Sequence, residues 1–349
     1  MALIENNERS IGREVPLVEP KRESTFGTLL EDRRIKLTEF AEHSKLIALS
    51  RLTERFPEVY VWDESKNPGG SQKDRLGRGF QKFFERLCST THPEYEEHPP
   101  DAVLVTHGAA AEAVQRYNPN VPVKAIVSSR MKKKRCVRLE EVLAPSGGRV
   151  YPYDLGAEQL STAKKFEITG TKEGIDLDTL DLSYGYRPMY RDIINELDPD
   201  GIVVGFGTGN CFKGGLDHLS VKKVLADRHH VPFKPVSVIG VVPNRLDSRA
   251  RALVAPFRSD PDPMKYLGDR ISLLRDVAAV CGSYTGVYPV HNDRRFKEAA
   301  ETLRANSRIR PTSPSGAASV AWFAENYSHL DPTKRWVLIN TGESLALAS

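Results

Sequence analysis

Along the chain, short apolar runs rich in β-branched residues alternate with longer stretches whose apolar positions recur every three to four residues. The runs "VYVW" (59–62), "AVLVT" (102–106), "KAIVSS" (124–129), "RVYPY" (149–153), "GIVVG" (201–205), "VSVIGVV" (236–242) and "WVLIN" (336–340) read as strands. Between them, "KDRLGRGFQKFFERL", "GAAAEAVQRY", "RPMYRDIINEL", "HNDRRFKEAAETLRA" and "SGAASVAWFAENY" read as helices. Strand, helix and strand in repeated succession predict an α/β fold on a mostly parallel sheet with helices on both faces. Ligands of such sheets sit at the carboxyl ends of the strands, so the strand-to-helix turns are the places to look for chemistry. Residues 1–41 read as an N-terminal extension with one helix candidate, "FGTLLEDRRIKLTEFAEH". The Pro- and Asp-rich stretch 243–270 reads as a long surface connection.

Composition narrows the class of partner. The 349 residues are 40% hydrophobic and 28% charged, the balance of a soluble globular protein of one large or two ordinary domains. A formal net charge of +4 does not single out nucleic acid. The densest basic run, "RMKKKRCVR" (130–138), has no interleaved aromatics for base stacking and reads as a solvated helix entrance. Cys88, Cys136, Cys211 and Cys281 lie far apart, with no CxxC spacing and no partnering histidines. That argues against a disulfide framework or a zinc site and suits a reducing compartment. The N-terminus lacks the basic end and apolar core of a signal peptide, and no apolar run approaches the roughly 20 residues that cross a bilayer. The expectation is a cytoplasmic protein whose partner is a small molecule, not nucleic acid or membrane.

Three turns carry chemistry. In "NPGGSQKDR" (67–75), Pro68 fixes one dihedral, the glycines permit tight backbone, and Ser71 is placed to cap a helix beginning near Lys73. A lysine at a helix start meets partial positive charge, which favours its neutral amine, the form Schiff-base chemistry requires. Taken alone, Lys73 still reads as an ordinary solvated lysine. In "GIVVGFGTGNCFKGG", a buried strand ends in a turn where Gly205, Gly207 and Gly209 let backbone N–H groups converge. Thr208 and Asn210 add donors, and a helix follows through Cys211. Such a turn is an anion cradle, and without a Lys-Ser/Thr pair or dinucleotide spacing it suits a single phosphate. In "WVLINTGES", Thr341 ends a buried strand and offers a hydroxyl to the same crevice.

Together these turns resemble the tryptophan synthase β-like family of pyridoxal phosphate enzymes, fold type II, which includes cysteine synthases, threonine synthases and serine/threonine dehydratases. "ESKNPGGSQKDR" resembles the family's Asn-Pro-x-Gly-Ser-x-Lys-Asp-Arg signature, "GFGTGN" stands at its phosphate loop, and "PTSPSGAASVA" resembles its Glu-Pro-Ser-Gly-Ala-Ala segment. The resemblance runs from about residue 42 to 349, with "SKLIALSRLTERFPEVYVW" in place of the usual Thr-Pro-Leu opening. It implies two open, mostly parallel twisted sheets with the cofactor, pyridoxal 5'-phosphate, in the cleft between domains. It further implies a large domain of residues 42–88 and 156–349, a small mobile domain of residues 89–155, and a homodimer. Lys73 would carry the cofactor as a Schiff base and act as the base at the substrate α-carbon. Gly205, Gly207, Thr208, Gly209, Asn210 and Cys211 would hold the phosphate, and the Thr341 hydroxyl would meet the pyridine nitrogen.

One motif departs from the family. After "AVLVT" the usual Ser/Thr-Ser-Gly-Asn is replaced by "THGA": Thr106, His107, Gly108 and Ala109. The turn still offers backbone N–H groups to a substrate carboxylate, but Ala109 cannot donate to the cofactor's ring oxygen. His107 becomes the candidate for substrate contact or proton transfer. The leading expectation is β-elimination or β-replacement on a specialised amino acid by way of an aminoacrylate, as a lyase or transferase. A threonine synthase-like γ-reaction on a phosphorylated amino acid and a non-catalytic cofactor-binding homologue remain open beside it.

Overall fold

The computed structural model describes residues 33–36, 55–56, 58–155, 160–245, 248, 250, 253, 281–305, 307–309 and 312–343. The strands are β1 (Arg34–Lys36), β2 (Val59–Asp63), β3 (Asp101–Val105), β4 (Val123–Ser128), β5 (Arg149–Tyr153), β6 (Gly174–Asp176), β7 (Gly201–Gly205), β8 (Ser237–Pro243), β9 (Gly286–Val290) and β10 (Trp336–Asn340). The helices are α1 (Lys73–Thr90), α2 (Ala109–Tyr117), α3 (Lys133–Leu143), α4 (Thr162–Thr169), α5 (Arg187–Leu197), α6 (Asn210–His229), α7 (Arg294–Ala305) and α8 (Ala318–Asn326).

The strands form two sheets. The larger runs β1-β2-β10-β7-β8-β9 and is parallel except for β1, which pairs antiparallel with β2. The smaller, β5-β4-β3-β6, is parallel throughout. Buried on both faces, the large sheet divides its side chains by alternation. Val337 and Ile339 of β10 pack with Tyr190 and Ile193 of α5 and Leu216 of α6. Trp336 and Leu338 face the other way, against Ala321 and Phe323 of α8. Opposite Trp336 in register stands Gly201, where a Cβ would run into the indole ring. No described helix is long and apolar enough to cross a membrane.

Two expectations are corrected. The helix candidate within 26–43 contains a strand instead, because Ile35 alternates into the core opposite Val61 while its neighbours face outward. The rest of that candidate lies outside the described residues, as does most of the 243–270 stretch. The domain boundary after residue 155 falls too early: β6 pairs with β3, so the four-stranded unit continues to Asp176. β6 is three residues long and holds one apolar side chain, too short a run to show period-2 alternation.

Register decides where the three turns go. Within the large sheet, β2, β10 and β7 are adjacent and parallel, pairing Asp63 with Asn340 and Trp336 with Gly201. All three therefore leave the sheet at the same edge, carrying with them the lysine turn, the Thr341 turn and the glycine-rich turn.

Candidate active site

The lysine turn is tied to the end of β10 by backbone bonds. Ser71 and Gly342 form an antiparallel bridge, Gln72 N donates to Thr341 O at 3.0 Å, and Glu343 N donates to Gly70 O at 3.0 Å. Gly342 has φ +71°, and a Cβ there would collide with the Gly70 carbonyl oxygen. Behind this joint, Thr341 N donates to Gly316 O at 3.0 Å, bringing in the "PTSPSGAASVA" segment. Asn340 braces it from below, donating to Asp63 Oδ1 at 2.8 Å and Thr312 Oγ1 at 3.1 Å and accepting from Gly342 N.

Lys73 opens α1. Ser71 Oγ accepts its backbone N–H at 3.2 Å, the capping role expected of that serine. Its ammonium group makes no hydrogen bond or ion pair among the described residues. Burial lowers its pKa; nearby Cys211 opposes this only as a thiolate. That thiol is itself pushed up to about 12 by burial, so at neutral pH it is uncharged and the opposition vanishes. Tyr190 OH lies 3.9 Å from Cys211 Sγ, and burial holds Tyr186 and Tyr190 as neutral phenols. Lys73 thus meets an uncharged thiol instead of a counter-ion, a setting that favours free amine.

The glycine-rich turn leads from β7 into α6. Gly205 is buried, and a Cβ on it would lie 3.1 Å from Leu253 and 3.4 Å from Ser315 O. Gly209 caps α6 in a left-handed conformation with φ +89°, and no side chain caps that end. Gly207, Thr208, Gly209 and Asn210 are half-exposed, and Cys211 is buried. The first N–H groups of a 20-residue helix therefore open onto the crevice without an intrahelical partner. A further polar atom lies beside the lysine in the chain. Gln72 Oε1, one residue from Lys73, is buried with no hydrogen bond among the described residues.

The altered motif begins α2. Thr106 is buried, its Oγ1 accepting from Gly108 N at 2.9 Å, and Gly108 takes φ +108° as the helix cap. His107 and Ala109 are half-exposed. Helices α1 and α2 pack where Gly77 backs onto the Ala113 carbonyl, with no room for a Cβ. Both sites of contact lie one turn in from Lys73 and Ala109, respectively.

Sequence reasoning missed the buried support of the lysine turn. Glu64 is fully buried and accepts five hydrogen bonds: from Arg75 Nε at 2.6 Å and Nη2 at 2.8 Å, Asn67 Nδ2 at 2.7 Å, Trp62 Nε1 at 3.0 Å and Arg33 Nη1 at 3.1 Å. Burial pushes its pKa up, but Arg75 and then Arg33 overcome that and hold the carboxyl at about 2. Glu64 and Arg75 both stand in the quoted motif, eleven residues apart across a turn, a spacing no helix or strand periodicity pairs.

A half-buried lysine that makes no ion pair among the described residues, joined to a strand-end threonine and close to an uncapped helix start, defines the class: an α/β enzyme of the two-sheet type whose site suits a phosphorylated carbonyl cofactor. Residues 37–342 match the model of the pyridoxal-phosphate dependent enzyme family, and the chain belongs to that family. Its cofactor is pyridoxal 5'-phosphate, and the uncapped α6 start and the unpartnered Lys73 fit that group. No curated protein matches the chain in sequence. Among solved structures, the chain resembles a cysteine synthase from Entamoeba histolytica at TM-score 0.60 and 14% identity, over 98% of this chain and 93% of that one. It resembles an O-acetylserine dependent cystathionine beta-synthase from Helicobacter pylori at TM-score 0.58 and 14% identity, over 85% and 92%. A pyridoxal 5'-phosphate-dependent aspartate racemase aligns at TM-score 0.58 and 15% identity, over 94% and 97%. At these identities the likeness is one of fold.

Proposed function

We propose that this protein catalyses β-elimination or β-replacement on an amino acid. Pyridoxal phosphate, when bound, supplies a sink for the electron pair left at a substrate's α-carbon. Lys73 would hold the cofactor through its amine, and the same amine would serve as the base for the substrate's α-proton. The backbone N–H groups from Gly207 to Cys211 hold the phosphate, aided by the helix start. The Thr341 hydroxyl would be the neutral partner of the ring nitrogen, drawing less charge into the ring than a carboxylate would and so favouring loss of a β-substituent. The N–H groups at the start of α2 receive the substrate carboxylate. Ala109 leaves space where the family places an asparagine, and His107 lines that space as the group to hold or move a proton at the departing substituent.

The observation that carries this reading is the half-buried Lys73, whose ammonium has no acid beside it and whose pKa burial lowers. The test is an absorption titration of the purified protein with β-substituted amino acids, with keto acid and ammonia release followed in parallel and α-proton exchange followed in D2O. A spectral shift with product release is expected for at least one substrate, and Lys73→Ala abolishes both the visible band and turnover. Turnover surviving in Lys73→Ala removes the lysine from its role. Proton exchange with no product across the panel replaces elimination with racemisation.

A further inference from the structure

Helices α1, α5 and α6 line a hollow of about 590 Å³ that opens to solvent, away from the lysine turn. Lys82 and Arg86 reach it from α1, Arg187 and Arg191 from α5, and His218 from α6, with Tyr184 at its wall. Tyr184 is fixed there, donating to Gly79 O at 2.5 Å. Five basic side chains thus line one hollow of the size that takes small ligands, roughly 300–1,000 Å³.

Their charges are not answered from within. Arg191 binds Asp192 at 2.9 Å, but the side chains of Lys82, Arg86, Arg187 and His218 make no hydrogen bond or ion pair among the described residues. Asp217, adjacent to His218 in the chain, and Asp181 are already engaged by one lysine. Asp217 accepts from Lys213 at 2.7 Å and from Ser183 Oγ at 2.6 Å, and Asp181 is bound by the same lysine at 2.9 Å. His218 registers the excess: burial first, then Lys222, Arg187 and Arg191, hold its pKa down at about 4. The imidazole is therefore neutral at physiological pH, wedged among cations that repel one another. Such repulsion costs stability unless an anion relieves it.

We propose that this cavity is a second ligand site, distinct from the cofactor's, that binds a multivalent phosphate-bearing anion of diphosphate class. Guanidinium groups from two helices offer planar forks that match phosphate oxygens in pairs, and the neutral imidazole adds an N–H donor. The site is separate from the glycine-rich turn, because His218 lies eight residues beyond Asn210 along α6, about 12 Å at 1.5 Å per residue. It is nevertheless built on the same two helices, α1 and α6, whose first residues are Lys73 and Asn210. An anion drawing α1, α5 and α6 together stiffens the supports of both turns.

Inorganic pyrophosphate is the probe, titrated into the cofactor-saturated full-length protein so that the phosphate cradle is already filled, in about 0.15 M salt to screen diffuse attraction. Calorimetry is expected to show one equivalent bound, and NMR of the imidazole protons to show His218 titrating at least about one pH unit higher when pyrophosphate is present. Arg86→Gln/Arg187→Gln, which removes two guanidinium forks, weakens binding at least about 30-fold, and Lys82→Gln, which removes a single point charge, weakens it less but in the same direction. Lys133→Gln, which removes one charge from α3 outside the cavity, leaves binding unchanged. Absence of binding with an unshifted His218, or equal losses in Lys133→Gln and Lys82→Gln, overturns the site. Citrate binding more tightly than pyrophosphate overturns the phosphate assignment.

Discussion

Glu64 is a carboxylate out of reach of water that accepts from five donors, and it sits three residues before the Asn-Pro-Gly-Gly turn begins. A buried charge of this kind stabilises only while every partner is present. Its pKa of about 2 lies below the 4.5 of a free glutamate, so its contribution is fully present above about pH 4.5 and is lost as pH falls towards 2. Glu64→Gln keeps the shape but leaves Arg75 and Arg33 without a counter-charge. It is expected to lower stability at pH 7 by about 3 kcal/mol or more. The difference between wild type and variant should shrink below pH 4.5, as read by urea denaturation at a series of pH values. A gap that stays constant down to pH 2 assigns the loss to packing and not to charge.

At the scale of elements, the joint between the lysine turn and the end of β10 is the feature with least slack. Gly342 combines a left-handed backbone with direct apposition to Gly70 O. Gly342→Ala is expected to cost about 1–3 kcal/mol from the backbone alone. It should also separate Ser71 from its bridge, reducing cofactor content measured by absorbance relative to protein. Full cofactor occupancy with unchanged thermal denaturation would mean that the two turns are held by other contacts. This joint marks the limit of what the residues disclose in linear order. All seven strand candidates appear within a residue or two of their expected ends, because β-branched runs between Gly, Pro and Asp need no tertiary context. The short β1 and β6 were hidden, since three residues owe their conformation to the strand beside them. β9, "GVYPV", was also missed: its proline breaks the strand pattern in the sequence and is tolerated because β9 lies at the sheet edge. For the site, the sequence marked the lysine turn and the glycine turn because both need special backbone chemistry, and the structure brings both to the end of the sheet where β10 delivers Thr341. The Glu64–Arg75 pair and the cationic hollow were not, because both depend on side chains that converge only through folding.

The whole molecule is built on two sheets with separate buried supports. In the smaller unit, Lys165 bridges Asp176 at 2.9 Å and Asp178 at 2.8 Å, and Asp178 Oδ2 accepts from Val105 N, continuing the ladder of β3 where β6 has ended. Val105 immediately precedes Thr106, so this buried pair sets the base of the "THGA" turn. Lys165→Met strands two buried acids and is expected to cost that unit about 3–5 kcal/mol. Hydrogen exchange is the measurement: the Val105 amide should exchange faster while β10 amides keep their protection. Uniform loss in both sheets would mean that the chain unfolds as a single cooperative body. In the larger sheet, the order of strands in space has a consequence for the order of events during synthesis. β2 and β7, which carry the lysine turn and the glycine turn, are not neighbours; β10 lies between them. The strand that joins them is the last of the described strands, more than 270 residues after β2. A nascent chain short of Trp336 holds Val59–Asp63 against β1 alone, with the opposite edge of that strand open. The crevice therefore comes into being only once Trp336–Asn340 has been made, by insertion of one five-residue segment between β2 and β7.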